Sequence, residues 1–294
     1  MATSSLELLA PAKLNLHLGI YPGRDERGYH RADSVMIGVA LADSVQIAPA
    51  DSLVLTTSVD CGVPQQRNTA FRAARELCRA FGRDEGYAIH ITKRVPSQAG
   101  MGGASSDAAS VLLGLCKLWD VDPLDERAVA VARSIGADVP FFLTLSPALL
   151  TGAGDVLEQT FPSLENVPIV LVRPDVGVST VEAYRAFDAD PIEPPSPQAM
   201  CDALARSDAQ AVAAALYNNL EPAANRLAPV TAEVREWLQQ QDGVVAAQLT
   251  GSGSCVFAFC ESHEAARRIA QDAQETRNWW SCATTTVGAG AQFC

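Results

Sequence analysis

The chain has 294 residues, with 22 Lys and Arg against 34 Asp and Glu, for a formal net charge of −12. With 48% hydrophobic and 19% charged residues, this is the composition of a folded chain with a large core, which excludes general disorder. The acidic balance excludes a general nucleic-acid binder, because phosphate backbones are held by clustered Lys and Arg. An anionic ligand therefore has to be held by local geometry.

At this length a single core stops growing, so two domains are expected. Eight cysteines, at 61, 78, 116, 201, 255, 260, 282 and 294, form no C-x-x-C pair and have no histidine at metal-ligand spacing, which argues against a zinc site. The opening MATSSLELLAPAKLN has neither a basic start nor an apolar run, and no segment reaches bilayer-spanning length. The expectation is a soluble, cytoplasmic protein with reduced thiols and no membrane contact. The lysines are only Lys13, Lys93 and Lys117, so their placement is informative.

In chain order, Leu6–Ala12 and Val35–Ala48 read as strands, the second alternating through Val45-Gln46-Ile47 until Pro49 stops it. A Gly-, Pro- and charge-rich loop, Tyr21–Arg31, lies between them. Asn68–Phe81 has helical apolar spacing, Tyr87–Thr92 is a short strand, and the glycine loop Ala99–Gly103 leads into a helix over Ser106–Leu118. A helix over Asp125–Ile135 is stopped by Gly136, leaving Asp138 on a turn before Pro140, where Val139 is pushed away from helical geometry. Val167–Arg173 reads as a buried strand, Pro191–Pro197 as a loop, and Met200–Tyr217 and Ala228–Gln241 as helices. The strand Val244–Thr250, a glycine turn Gly251–Gly253, the strand Cys255–Cys260, a helix His263–Thr276 and a short strand near Thr284–Val287 complete the chain. A boundary within Gln159–Val167 divides it into domains 1–162 and 163–294.

The run Pro96-Ser97-Gln98-Ala99-Gly100-Met101-Gly102-Gly103-Ala104-Ser105-Ser106 places three glycines and two hydroxyls before a helix. Glycines allow positive φ and close backbone approach, and a helix start offers unpaired N–H groups to an anion, which suits a phosphate. The Lys-Ser/Thr ending of a P-loop is absent, and Ser105 stands where a dinucleotide fingerprint needs its third glycine. A tight turn capped by Ser105 or Ser106 explains the segment equally well.

The segment resembles the glycine-rich motif of the GHMP kinases, through Pro96, Gly100, Met101, Gly102, Ser105, Ser106, Ala108 and Ala109. Pro11-Ala12-Lys13-Leu14-Asn15-Leu16 is similar to that family's N-terminal motif, and Leu249-Thr250-Gly251-Ser252-Gly253-Ser254 to its C-terminal glycine turn. Further likeness, through Gly28-Tyr29-His30, Asn68, Gly136-Ala137-Asp138-Val139-Pro140-Phe141-Phe142, Tyr184 and Asn219-Leu220-Glu221-Pro222, points to the branch acting on a cytidine diphosphate-linked polyol of isoprenoid precursor synthesis. Asn219 and Ala104 depart from that pattern, where Asp and Gly are usual.

The resemblance implies a two-domain α+β GHMP architecture with the active site in the interdomain cleft, using ATP and Mg²⁺ on a small-molecule alcohol. It makes Asp138 the general base and Lys13 its partner and counter-charge, where Asp138 taken alone is a turn cap. Asn15, on the Lys13 face of its strand, would bind the polyol. Tyr29 and His30 would hold the cytosine with Tyr184 on its opposite face, although an isolated Tyr-His pair on a loop is ordinarily just surface. Asn68, Lys93 and the loop residues Pro96, Gly100, Met101, Gly102, Gly103, Ala104, Ser105 and Ser106 would bind the nucleotide, Ser105 also serving Mg²⁺. Thr250 and Gly251 would support the substrate side, or form only a tight hairpin. Another GHMP kinase, or a non-catalytic nucleotide binder on the same fold, is the alternative. His17, His90 and His263 read as structural, and Trp279-Trp280 as packing or a contact surface.

Overall fold

The computed structural model describes residues 5–26 and 28–293. Its first strand, β1 (Leu6–Ile20), runs well past the expected end at Ala12. A register shift between Pro11 and Ala12 accommodates the proline. Beyond it Lys13, Asn15 and His17 alternate with Leu14, Leu16 and Leu18, and both sets are buried. This polar interruption hides a strand that has cover on both faces. β1 pairs antiparallel with β2 (Ala32–Pro49) from Leu6↔Ile47 to Ile20↔Ala32.

The short β3 (Val54–Thr57) runs parallel to β4 (Tyr87–Thr92), which pairs with β2. α1 (Thr69–Phe81), α2 (Gly103–Trp119) and α3 (Glu126–Ile135) share one buried apolar cluster with these strands, including Leu8, Ile47, Leu77, Ile91 and Leu112. Local chemistry fixes the helix ends: Asn68 and Asp125 accept from backbone N–H groups two residues on, and Gly82 closes α1 at φ 59°. α4 (Val139–Thr144) corrects one expectation, since Val139 is helical. Pro140 lies in the first turn, where a missing N–H breaks no hydrogen bond.

β5 (Ala148–Thr151) and β6 (Val156–Thr160) follow, and β7 (Pro168–Arg173) begins a second group of strands. α5 (Thr180–Ala189), capped by Ser179, carries Tyr184 and was not predicted. The single helix expected over Met200–Tyr217 is instead α6 (Gln198–Ala205), α7 (Ala209–Ala214) and β8 (Tyr217–Asn218). Ser207 takes φ 52° and the Asp208 side chain caps α7, because such short polar side chains bond the backbone better at a helix start than inside one. The helix expected over Ala228–Gln241 begins only after Pro229, preceded by α8 (Glu221–Leu227) and running as α9 (Val230–Gln239).

β9 (Val244–Leu249), β10 (Val256–Cys260), α10 (His263–Arg277) and β11 (Trp280–Val287) complete the fold, a mixed α+β structure. The sheet order is β3-β4-β2-β11-β7-β10-β9. β11 joins the two halves: Trp280 to Thr285 pair with β7, and Thr286 and Val287 with β2. Trp279 packs edge-on against Trp237 at 5.7 Å, the packing alternative of the two. No helix among the described residues is long and apolar enough to cross a membrane.

His17 is 2% exposed, with its ring 5.2 Å from that of Tyr217. Burial pushes its pKa down to about 4, against the opposing pull of Asp33. The unfolded chain thus takes up this proton first, so stability falls as pH drops from 6.5 towards 4. Between pH 7 and pH 4, the wild type should lose about 3 kcal/mol more in urea denaturation than His17→Phe. Equal acid losses in the two proteins would contradict this.

Candidate active site

β1 presents Lys13 and Asn15 on one face of the strand, 3% and 2% exposed. The Lys13 ammonium donates to Gly100 O at 2.8 Å and to Asn15 Oδ1, and it lies 3.8 Å from Asp138 Oδ2. Asn15 Nδ2 donates to Ser34 Oγ at 2.9 Å, so the amide orientation is fixed from behind. Burial lowers the pKa of Lys13 while Asp138 opposes the shift. A buried ammonium with one carboxylate and two neutral acceptors retains strong pull on a further negative group.

The glycine loop is held against the strand by Lys13 N donating to Met101 O at 3.0 Å. Gly100 and Gly102 have φ of 72° and 70°, the second immediately before α2, where the first N–H groups are unpaired by the helix. A Cβ on Gly102 would fall 3.0 Å from the Lys13 stem and from Phe142, and one on Gly100 would fall 2.0 Å from Thr250 O. The second glycine turn therefore packs backbone on backbone against the first. Thr250 Oγ accepts from Asn15 N at 3.1 Å and donates to Gly100 O, and Cys255 N donates to Ala99 O. Asn218, which sequence reasoning missed, fixes that turn by donating to Leu249 O and Gly251 O at 2.9 and 2.8 Å.

These elements surround a cleft of about 840 Å³, lined by Lys13, Asn15, Asn68, Lys93, Pro96, Gly100–Ser105, Asp138, Tyr184 and Gly251. Most of the residues singled out from the sequence thus converge. Ser106 does not, because its hydroxyl turns inward to Pro11 O at 2.7 Å. Thr250 is buried beneath the turn. The Lys93 ammonium is engaged by Asp43 and Asp107. Asp43 was also missed, because its partners Lys93, Arg94 and Val95 lie far along the chain.

On the opposite side, burial and nearby Asp138 push the Tyr184 phenol up to about 12, keeping it a hydrogen-bond donor. Tyr29 is 60% exposed. His30 lies behind the cleft wall, its ring 5.5 Å from Tyr184 and edge-on to Phe187. Its Nδ1 lies 3.0 Å from Tyr21 O, while its buried Nε2 comes within 2.9 Å of Asp188 Oδ1 without hydrogen-bond geometry and has no hydrogen-bond partner among the described residues. Asn219 donates to Ile20 O and Ile192 O and accepts from Ile20 N, so an amide fits where a carboxylate would face two carbonyls.

A lysine and a carboxylate converging beside a glycine loop at a helix start form a phosphotransfer site, and comparison with known proteins agrees. The family descriptions "GHMP kinases N terminal domain" and "GHMP kinases C terminal" match residues 68–144 and 200–277. The chain belongs to the GHMP kinases and is an ATP-dependent small-molecule kinase. It is 37% identical to the 4-diphosphocytidyl-2-C-methyl-D-erythritol kinase of Desulfitobacterium hafniense (strain Y51), over 99% of both chains. It is 39% identical to the enzyme of that name from Geobacter sp. (strain M21), over 96% of this chain and 99% of the relative. A crystal structure of 4-(cytidine 5'-diphospho)-2C-methyl-D-erythritol kinase superimposes with a TM-score of 0.79 at 37% identity, covering 97% of this chain and 100% of the other. Homoserine kinase from Cytophaga hutchinsonii, at 18% identity and a TM-score of 0.71, shares the fold.

Gly100→Ala should disturb the site through the 2.0 Å approach to Thr250 O and the positive φ together. The expected cost is about 2–3 kcal/mol in urea denaturation, with ATP binding weakened at least about tenfold. Gly28→Ala carries only the φ penalty, since a Cβ there meets nothing within 4 Å, and should cost about 1 kcal/mol. Equal effects of the two substitutions would contradict the docking of one turn on the other.

Proposed function

We propose that the chain transfers the γ-phosphate of ATP to the 2-hydroxyl of 4-diphosphocytidyl-2-C-methyl-D-erythritol, giving the 2-phosphate and ADP, in isoprenoid precursor synthesis in the cytoplasm. The observation that carries this reading is the approach of Lys13 Nζ to Asp138 Oδ2, 3.8 Å apart, beside the loop from Gly100 to Ser105. Relatives with that activity in their names match over nearly the whole chain. In this reading residues 1–162 supply the nucleotide side and residues 163–294 supply Tyr184 and the Gly251 turn.

Asp138 orients the acceptor hydroxyl and takes its proton late, as a largely dissociative phosphoryl transfer requires. Lys13 offsets the charge that gathers on the transferring oxygens. The unpaired N–H groups at the start of α2 and the backbone of Gly100–Gly103 cradle the β- and γ-phosphates, with Asn68 and Pro96 at the nucleotide end. Mg²⁺ carried on a triphosphate needs only one or two protein oxygens. The Ser105 hydroxyl lines the cleft without a hydrogen-bond partner among the described residues and fits that need. Bound there, the ion would neutralise the β- and γ-oxygens. Asn15 holds the polyol, and Tyr29, His30 and Tyr184 select the cytosine.

Asp138→Asn should lower kcat by at least about 10²-fold with ATP affinity within about threefold of wild type. Phosphorus NMR of the product locates the new phosphate. The cytidylyl substrate should be turned over far faster than methylerythritol 4-phosphate. Equal rates for both, or near-normal turnover by Asp138→Asn, would defeat this function.

A further inference from the structure

Lys93, Asp43 and Asp107 form a cluster that the transfer chemistry leaves unused. Asp43, on β2, is fully buried, and its Oδ1 accepts from the backbone N–H groups of Arg94 and Val95, the latter at 2.8 Å. Its Oδ2 accepts from the Lys93 ammonium, which reaches Asp107 Oδ2 at 2.6 Å. Asp107 lies in the opening turns of α2 and is 5% exposed. Gly103, the first residue of α2, sits against the same cluster: a Cβ there would fall 3.1 Å from Val95 and 3.7 Å from Asp43 Oδ2.

The glycine loop spans residues 96–102, between these two anchors. Its approach is fixed by the Arg94 and Val95 amides on Asp43, and its exit by Asp107 on α2, with Lys93 joining them. Burial acts against the charge on Lys93, but Asp107 and Asp43 more than compensate and raise its pKa. The ammonium is thus held between Asp43 and Asp107, the latter's carboxyl pushed up to about 7 by burial against the pull of Lys93, and it faces acceptors that a phosphate would have to displace.

We propose that Asp43, Lys93 and Asp107 are positioning residues, an ionic clamp that sets the separation of the two ends of the glycine loop and thereby its grip on the nucleotide phosphates. Lys93 acts through the loop, not by touching phosphate. This rests on the ATP-kinase reading for its consequence, but not for its geometry.

Asp43→Asn and Asp107→Asn separate the two roles of Lys93, because each releases the ammonium from an acid. A lysine that contacts phosphate directly would then bind ATP as well or better. The clamp requires ATP affinity, measured by titration calorimetry, to fall at least about tenfold in either variant, with the KM of the cytidylyl substrate changed less than about threefold. Lys93→Arg should recover most of what Lys93→Met loses. Hydrogen exchange on the nucleotide-free protein supplies a second readout. Amides of residues 97–103 should exchange at least about tenfold faster in the Asp107→Asn protein, while those of β10 stay unchanged. Unaltered exchange in that segment, or unaltered or tighter ATP binding in either variant, would overturn the clamp. Failure of the wild type to bind ATP would instead overturn the kinase reading, with the exchange experiment still deciding the clamp.

Discussion

One ammonium buried between a strand and a loop is the constraint from which the rest of the site follows. Removing Lys13 from water is costly unless its charge is met, and three groups from separate parts of the chain meet it. Asn15 comes from the same strand, Gly100 O from the glycine loop and Asp138 from the start of α4. Each contact also fixes a piece of the cleft. Gly100 and Gly102 hold left-handed backbone where the loop carbonyl meets the ammonium, and Thr250 O can lie against Gly100 only because no side chain stands there.

The sheet makes this convergence durable. β1 and β2 pair along nearly their whole length, and β11 hydrogen-bonds to both β2 and β7, so the Lys13 strand and the Gly251 turn belong to one continuous network. Thr250 ties the second turn to the first, Asn218 braces the second from β8, and Asp43 with Lys93 ties the start of the first to α2. The site stands on paired strands and helix starts, and Lys13 and Asn15 are already held by partners. That arrangement suits a reaction in which positioning and fixed charge supply most of the catalysis.

Much of this was legible in the sequence, for identifiable reasons. The glycines at 100 and 102 announced positive φ, Asn68 and Asp125 announced helix starts, and the family resemblance paired Lys13 with Asp138. What was not legible depended on distant contacts. Strand β1 continues through polar Asn15 and His17 because both faces are covered, which a period-two reading takes for an ending. The Ala-rich stretch after Met200 breaks at Ser207 and Asp208, where local side-chain bonds outweigh composition. Asp43 looks unremarkable until β4 delivers Arg94 and Val95 to it. The surroundings of His30 were likewise hidden, because Tyr184 and Phe187, far away in sequence, supply the rings packed against it.

The central claim is that a single acceptor hydroxyl sits between Lys13 and Asp138 with the terminal phosphate of the donor held by the glycine loop. The most direct measurement is a crystal structure with a non-hydrolysable ATP analogue and the cytidylyl polyol bound together. It should place the 2-hydroxyl within about 3 Å of the Asp138 carboxylate and the Lys13 ammonium, in line with the γ-phosphorus. A γ-phosphate resting on the loop while every hydroxyl of the acceptor lies away from both side chains would contradict the account.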